Sequence, residues 1–283
     1  MRSRHLLLLL VPASLLVACS SDGGDTSGVT AAPTSGAPES TAPESTTPAT
    51  DPATTSPDTT AVAVGHVRGT AYTFNTPDPI AGATILVEEL PGVSAVTAED
   101  GSYELEVPAG ATVTPYIEAD GHHSIHTQTL TVSADGDGLE LDGVNFQTPT
   151  EDIYVALKAL VAGFTGKDPF EGGCVVVTTV GDKKMIGMSF DEFIQFHPHG
   201  VEGATVAMDP PAATPIYFNA DVLPDAAQQT TSIDGGVLWP NVPPGEYTLS
   251  ATKEGTSFVE VHVTCADGWV VNANPVWGLH EQG

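Results

Sequence analysis

The histidines are where this sequence comes nearest to chemistry. Nine occur in 283 residues, and His122, His123 and His126 fall within "ADGHHSIHTQTL" (119–130). Imidazole is the commonest metal ligand and a proton carrier near neutrality. On a strand, however, side chains alternate between faces and each residue rises ~3.3 Å. His122 and His126 then share a face about 13 Å apart, and His123 turns away. A transition-metal site needs nitrogens ~2 Å from one ion, so the triplet predicts a polar outer face. The pair in "FHPHG" (196–200) is better spaced. His197 and His199 stand at i and i+2 with Cα atoms about 6–7 Å apart, a gap that one transition-metal ion bridges. The competing reading is a polar loop leading into the next strand.

Two further groups have the right side chains. Asp135, Asp137, Glu140 and Asp142 cluster in "DGDGLELDG" (135–143). Hard oxygens so grouped suit Ca2+, although the spacing is not that of an EF-hand, and an acidic β-turn accounts for them more simply. In "PIYFNADVLPD", Tyr217, Phe218, Asn219 and Asp221 place aromatic faces beside amide and carboxylate groups, the set a sugar or a protein surface uses. The alternative is that Tyr217 and Phe218 anchor an extra strand to the core. No Gly-x-Ser-x-Gly, glycine-rich phosphate loop or zinc-type Cys/His spacing occurs, so no catalytic residue is assigned.

Cysteine usage speaks to compartment. Arg2, Arg4 and His5 precede the apolar run "LLLLLVPASLLVA", too short for a span of roughly 20 residues but of signal-peptide length. It ends in Leu16-Val17-Ala18-Cys19, which resembles a bacterial lipobox. The resemblance implies that residues 1–18 are a signal peptide and that the Cys19 sulfur carries a diacylglycerol. It also implies a fatty-acylated, palmitate-type N-terminus, holding the chain at a bacterial membrane and facing outside the cytoplasm. Each buried methylene adds ~0.8 kcal/mol, so two or three chains anchor where one would not. An ordinary secreted protein is the alternative. Cys174 and Cys265 remain, and an even pair in an exported chain predicts one disulfide.

Charge narrows the partners. All 36 Asp and Glu follow Cys19, whereas Arg2 and Arg4 are lost with the leader from a total of eight Lys and Arg. So acidic a chain repels nucleic acid and anionic lipid. It suits high solubility, divalent cations or a salty environment.

Positioning elements follow from composition. Residues 19–61, rich in Ser, Thr, Pro and Ala, have nothing to bury and predict a disordered tether. From residue 62, short alternating runs punctuated by Gly, Pro and Asp predict strands every 8–12 residues or so, the pattern of a β-sandwich. The runs repeat. "PIAGATILV" (79–87) recurs as "GVEGATVAM" (200–208), and "TAEDGSYELEVPAG" (97–110) recurs as "TSIDGGVLWPNVPPG" (231–245). The offset grows from about 121 to about 134 residues, so the second copy carries an insertion near residues 210–228. Between the copies, "PTEDIYVALKALVAGFTG" (149–166) predicts a helix with Thr150 as N-cap, Glu151 and Asp152 at its positive end and Gly166 as its stop. Ile153, Leu157, Leu160, Val161 and Phe164 form a stripe expected to pack against one or both sandwiches.

Gly82-Ala83-Thr84-Ile85, Asp100-Gly101-x-Tyr103-x-Leu105 and Val107-Pro108-x-Gly110 resemble the carboxypeptidase regulatory-like domain. Gly203-Ala204-Thr205-Val206, Asp234-Gly235-x-Val237 and Val242-Pro243-Pro244-Gly245-x-Tyr247 form a second copy. The resemblance implies an all-β chain of two tandem transthyretin-like or Ig-like β-sandwiches, 62–148 and 167–283, joined by the short helix. Tyr103 and Leu105, and Val237 and Trp239, would alternate into the two cores. His122 and Thr256 stand where the family has an aromatic residue, and the first copy lacks the counterpart of Tyr247. Such domains serve as accessory, stalk or adhesion modules. The expected role is therefore a non-catalytic, lipid-anchored surface module, without a resident cofactor, that binds carbohydrate or an envelope protein. The alternative is a metal-dependent activity like that of intradiol dioxygenases, which pair a His-x-His with two tyrosines on iron. Here His197 and His199 precede the Asp-Gly strand instead of following it, and no tyrosine pair accompanies them.

Overall fold

The computed structural model describes residues 63–193 and 195–282. The signal peptide, Cys19 and the tether lie outside the described residues. The first repeat supplies β1 (Val64–Thr73), β2 (Thr84–Val87), β3 (Ser94–Val96), β4 (Ser102–Pro108), β5 (Thr112–Val113), β6 (Pro115–Glu118), β7 (Ile125–Thr127), β8 (Leu130–Thr131), β9 (Glu140–Leu141) and β10 (Phe146–Thr148). After α1 (Glu151–Thr165), the second repeat supplies β11 (Cys174–Thr179), the one-turn α2 (Phe190–Phe193), β12 (Thr205–Asp209), β13 (Ile216–Phe218), β14 (Pro224–Asp225), β15 (Gly236–Val242), β16 (Gly245–Thr252), β17 (Val261–Cys265) and β18 (Val270–Asn272).

Alternation builds the first core. Along β4, Tyr103, Leu105 and Val107 are buried while Ser102, Glu104 and Glu106 face water, the pattern of a sheet with one wet face. β4 pairs antiparallel with β1, and β9 and β10 pair parallel with it. β3, β2, β6 and β7 form the second layer, and Val67, Ile85, Leu105, Ile117 and Phe146 fill the space between. The second repeat follows suit. β15 and β18 flank β11 in the same senses, β12, β16 and β17 form the second layer, and Val176, Trp239, Leu249, Val263 and Leu279 lie in the core. The fold is a pair of β-sandwiches.

The recurrence extends to single atoms. Thr97 Oγ1 donates to Ile80 O at 2.6 Å and accepts from Ala83 N at 2.9 Å. Thr231 Oγ1 donates to Val201 O at 2.5 Å and accepts from Ala204 N at 2.9 Å. Both threonines are buried, so each hydroxyl satisfies two backbone groups withdrawn from water. Gly101 and Gly235, in the two Asp-Gly turns, both have φ of +77°. A Cβ at either would meet the carbonyl oxygen of Ala71 or Val180 at 2.5 Å, so glycine is needed twice for one reason.

The two sandwiches are not merely strung on a linker. β18 pairs in parallel with β7, Val271 opposite His126 and Asn272 opposite Thr127. This produces one nine-stranded sheet in the order β14-β13-β15-β11-β18-β7-β6-β2-β3. Thr129 N donates to His262 O at 2.8 Å, Thr129 and Thr264 hydroxyls meet at 3.0 Å, and Gln128 Nε2 donates to Pro275 O. The helix links the repeats in sequence, and the strand pair joins them in space.

α1 forms as its caps dictate. Thr150 accepts from Ile153 N, and Gly166 ends the helix in a left-handed conformation. The expected packing stripe is corrected: Val161 alone of the five is buried, and Ile153, Leu157, Leu160 and Phe164 are exposed. The helix instead lays Tyr154, Lys158, Val161 and Thr165 toward the body. Tyr154 stacks on His123, Lys158 pairs with Asp168 above the Phe170 ring, and Val161 meets Val175 and Leu238. These aromatic and ionic contacts select a face one step round from the apolar stripe.

Candidate functional site

The three clustered histidines go to three different places. His122 Nε2 lies 3.2 Å from Thr73 Oγ1. His123 stacks on Tyr154 with centroids 3.4 Å apart and has Nδ1 3.4 Å from Glu151. His126 is buried, which corrects the expectation of a wholly surface-facing triplet. It stacks on Trp269 at 3.7 Å and on Tyr116 at 5.0 Å, with Nε2 2.9 Å from Glu88 Oε1. Burial pushes its pKa down, opposed by the hydrogen bond and charge of Glu88. Register rather than composition decides this: His126 stands at the strand pair between the two repeats, where Trp269 covers it.

His197 and His199 do come together, with ring centroids 5.2 Å apart. His199 packs near Phe193 and has Nδ1 3.3 Å from Phe196 O. Burial pushes its pKa down, opposed first by that contact with Phe196. Among the described residues, three or more metal-ligating side chains converge at one place, His66, Glu104 and Glu106, and that set does not include the His197–His199 pair.

The acidic loop turns toward a cation the chain itself supplies. Arg68 Nε lies 2.6 Å from Glu104, and its Nη1 bonds Glu140 and approaches Asp142 at 3.6 Å. Hydrogen bonding to Arg68 holds the Glu104 carboxyl below the usual carboxylate range, against a small opposing effect of burial. Asp135 is exposed at the start of the loop. Two of the four carboxylates expected for calcium thus converge on a guanidinium.

The insertion forms the β13–β14 hairpin and extends the nine-stranded sheet beyond β15. Its four candidate residues do not make one binding surface. Tyr217 is buried and its hydroxyl accepts from Val206 N at 3.1 Å. Phe218 packs against the Val161–Leu238 cluster. Asn219 Oδ1 accepts from Asp221 N and Leu223 N, closing the hairpin turn, and Asp221 is exposed. Strand anchoring wins because the Tyr217 ring lies in the second core and the Phe218 ring packs against Val161, Val175 and Leu238.

What the hairpin does create is a groove. A cleft of about 590 Å³ runs between Phe164 and Thr165 of α1, Pro215 and Ile216 of the hairpin and Pro240 of β15. It continues onto the exposed Ile153, Leu157, Leu160 and Phe164, which share one face of α1. The helix carries three charged residues, Glu151, Asp152 and Lys158, so this apolar band has little polar cover. That poverty of charge was the readable signal, since an exposed helix ordinarily has a polar face.

Cys174 and Cys265 are bonded, with Cα atoms 5.6 Å apart and a sequence separation of 91. The bond ties β11 to β17, one strand from each layer of the second sandwich. In the chain-entropy model a closed loop of this length stabilises by about 4–5 kcal/mol.

No protein-family model and no curated protein matches the chain. Among solved structures, the Bacillus anthracis TIE protein aligns at 12% identity and a TM-score of 0.25 over 74% of this chain, which spans 33% of that protein. A streptococcal ancillary pilin aligns at 10% identity and 0.24, covering 78% of this chain and 69% of the pilin. A cohesin–X-dockerin complex from Acetivibrio cellulolyticus aligns at 26% identity and 0.23, covering 30% of this chain and 56% of that one. Scores of this size fall below those of a shared fold, so the architecture rests on the strand pairings of the chain itself.

Proposed function

We propose that this chain is a non-catalytic surface module that binds a protein partner through α1 and the groove beside it. The observation that carries the reading is the apolar band from Ile153 to Phe164, which the protein leaves exposed although it has two cores to bury it in. Contiguous exposed apolar surface of this kind marks interaction sites. The occupant is a protein segment with an apolar ridge flanked by Lys or Arg. With 36 acidic residues against eight basic ones, the chain attracts a basic rim and repels an acidic one. Repulsion likewise disfavours a second copy of this chain or an anionic membrane. The burial of Tyr217 takes away one of the aromatic faces a sugar would use, which favours the protein partner.

The lipobox at Leu16–Cys19 supports export and lipid anchoring at a bacterial envelope, and the Cys174–Cys265 bond is consistent with an oxidising compartment. The repeated Gly-Ala-Thr and Asp-Gly motifs support kinship with carboxypeptidase regulatory-like modules. Photo-crosslinking from position 157 of the full chain, in the organism that makes it, tests the partner. The expected adduct is a protein that, once purified, binds the chain in a salt-sensitive manner and at least tenfold more weakly to Phe164→Asp. Adducts confined to lipid, glycan or a second copy, or a purified partner indifferent to Phe164→Asp, overturn the reading.

A further inference from the structure

The outer face of the first sandwich carries a cluster that the docking surface does not use. His66 on β1 stands directly opposite Glu106 on β4, with Glu104 two residues along the same exposed face. On its other edge His66 faces Glu140 of β9. The imidazole nitrogen and the two glutamate oxygens all lie within 4.8 Å of one another. His66 Nδ1 is sealed from water and makes no aligned hydrogen bond, although Glu104 Oε1 comes within 2.8 Å of it. Four carboxylates, of Glu104, Glu106, Glu140 and Asp142, surround this histidine and the guanidinium of Arg68, so the patch is short of positive charge.

We propose that His66, Glu104 and Glu106 form a binding site for a divalent transition ion of the Zn2+ class. One imidazole and two carboxylates with a water completing the tetrahedron is a zinc-type ligand set, with metal–ligand distances of ~2.0–2.2 Å. Ligand atoms around such an ion lie ~3.4 Å apart, so the present cluster closes with changes of glutamate rotamer alone. The imidazole selects against Ca2+ and Mg2+, which take oxygen ligands. Arg68 makes the rearrangement inexpensive: when Glu104 turns to the ion, the guanidinium keeps Glu140 and Asp142. The site is open on its solvent side, as the exposure of Glu104 and Glu106 shows, which suits reversible uptake.

Titrating the metal-free full chain with ZnCl2 by calorimetry, and with Co2+ by visible absorption, tests the site. One equivalent is expected, with the intense d–d bands of tetrahedral Co2+. His66→Ala and Glu106→Gln should each weaken binding at least tenfold, and His197→Ala should leave it unchanged. Glu106 is exposed and, among the described residues, makes no ion pair with Lys or Arg, so Glu106→Gln remains informative if His66→Ala misfolds. Absence of stoichiometric binding, equal affinity in Glu106→Gln, or loss confined to His197→Ala overturns the proposal.

Discussion

Trp269 lies flat against His126 across the seam between the two sandwiches, ring centroids 3.7 Å apart and planes 10° from parallel. The histidine belongs to β7 of the first repeat, and the indole sits immediately before β18 of the second. Together with the β7–β18 strand pair, this stack makes the two cores mechanically dependent.

Trp269→Ala should therefore act on both halves. Losing the indole uncovers a buried imidazole and leaves a cavity over the seam, at a cost of about 2–4 kcal/mol. Urea unfolding followed by circular dichroism is expected to show one transition in the parent and two in the variant. A single transition at an unchanged midpoint would mean the seam couples nothing.

The same histidine predicts an acid weakness. Burial holds its folded pKa below the unfolded value, with Glu88 and then Glu89 pulling the other way. The stabilisation is complete above the unfolded pKa of about 6.5 and is lost as pH falls through it toward the folded value. His199 is shifted in the same direction, so two groups share the window. Melting temperature should fall from pH 7 to pH 5, and His126→Gln should flatten that slope without abolishing it. An identical slope in the variant would sink the assignment.

Much of this was legible in the residues, and for a physical reason. Turn chemistry and period-two alternation are local, so Gly101, Gly235, Tyr103 and Trp239 announced both sandwiches. The Thr150 and Gly166 caps announced the helix for the same reason. The seam was not legible, because each repeat satisfies its own pattern without it and β7 is only three residues long. His126 was misplaced in consequence: whether a histidine on a short strand faces water depends on what the neighbouring sandwich lays over it. Tyr217 was ambiguous for a related reason, since an aromatic on a hairpin serves a core or a ligand equally well until its hydroxyl is seen to bond Val206 N.

The two threonine locks offer a matched pair of mutations. Thr97→Val and Thr231→Val keep volume but strip the hydroxyl that serves Ala83 N and Ala204 N. Each leaves a buried donor unpaired, which costs about 1–3 kcal/mol. Because the sites occupy equivalent places in separate sandwiches, the two losses should be similar in size. They should also add in the double variant, within about 0.5 kcal/mol. Strong non-additivity in denaturant unfolding would show that the two locks, although in separate sandwiches, are energetically coupled to one another.

The helix decides whether exposed apolar residues are scaffold or surface. Leu157 and Leu160 lie outside the contact face of α1, whereas Val161 is buried against Val175 and Leu238. Leu157→Gln and Leu160→Gln keep helix propensity and should each change stability by about 0.5 kcal/mol or less. Val161→Asp buries an unpaired carboxylate and should cost about 3 kcal/mol or more. Thermal unfolding of the three variants separates the cases. Large losses at 157 and 160 would return the stripe to the core and remove the interface. Small losses leave a band of leucines that the fold itself does not need, and solubility alone would not retain them.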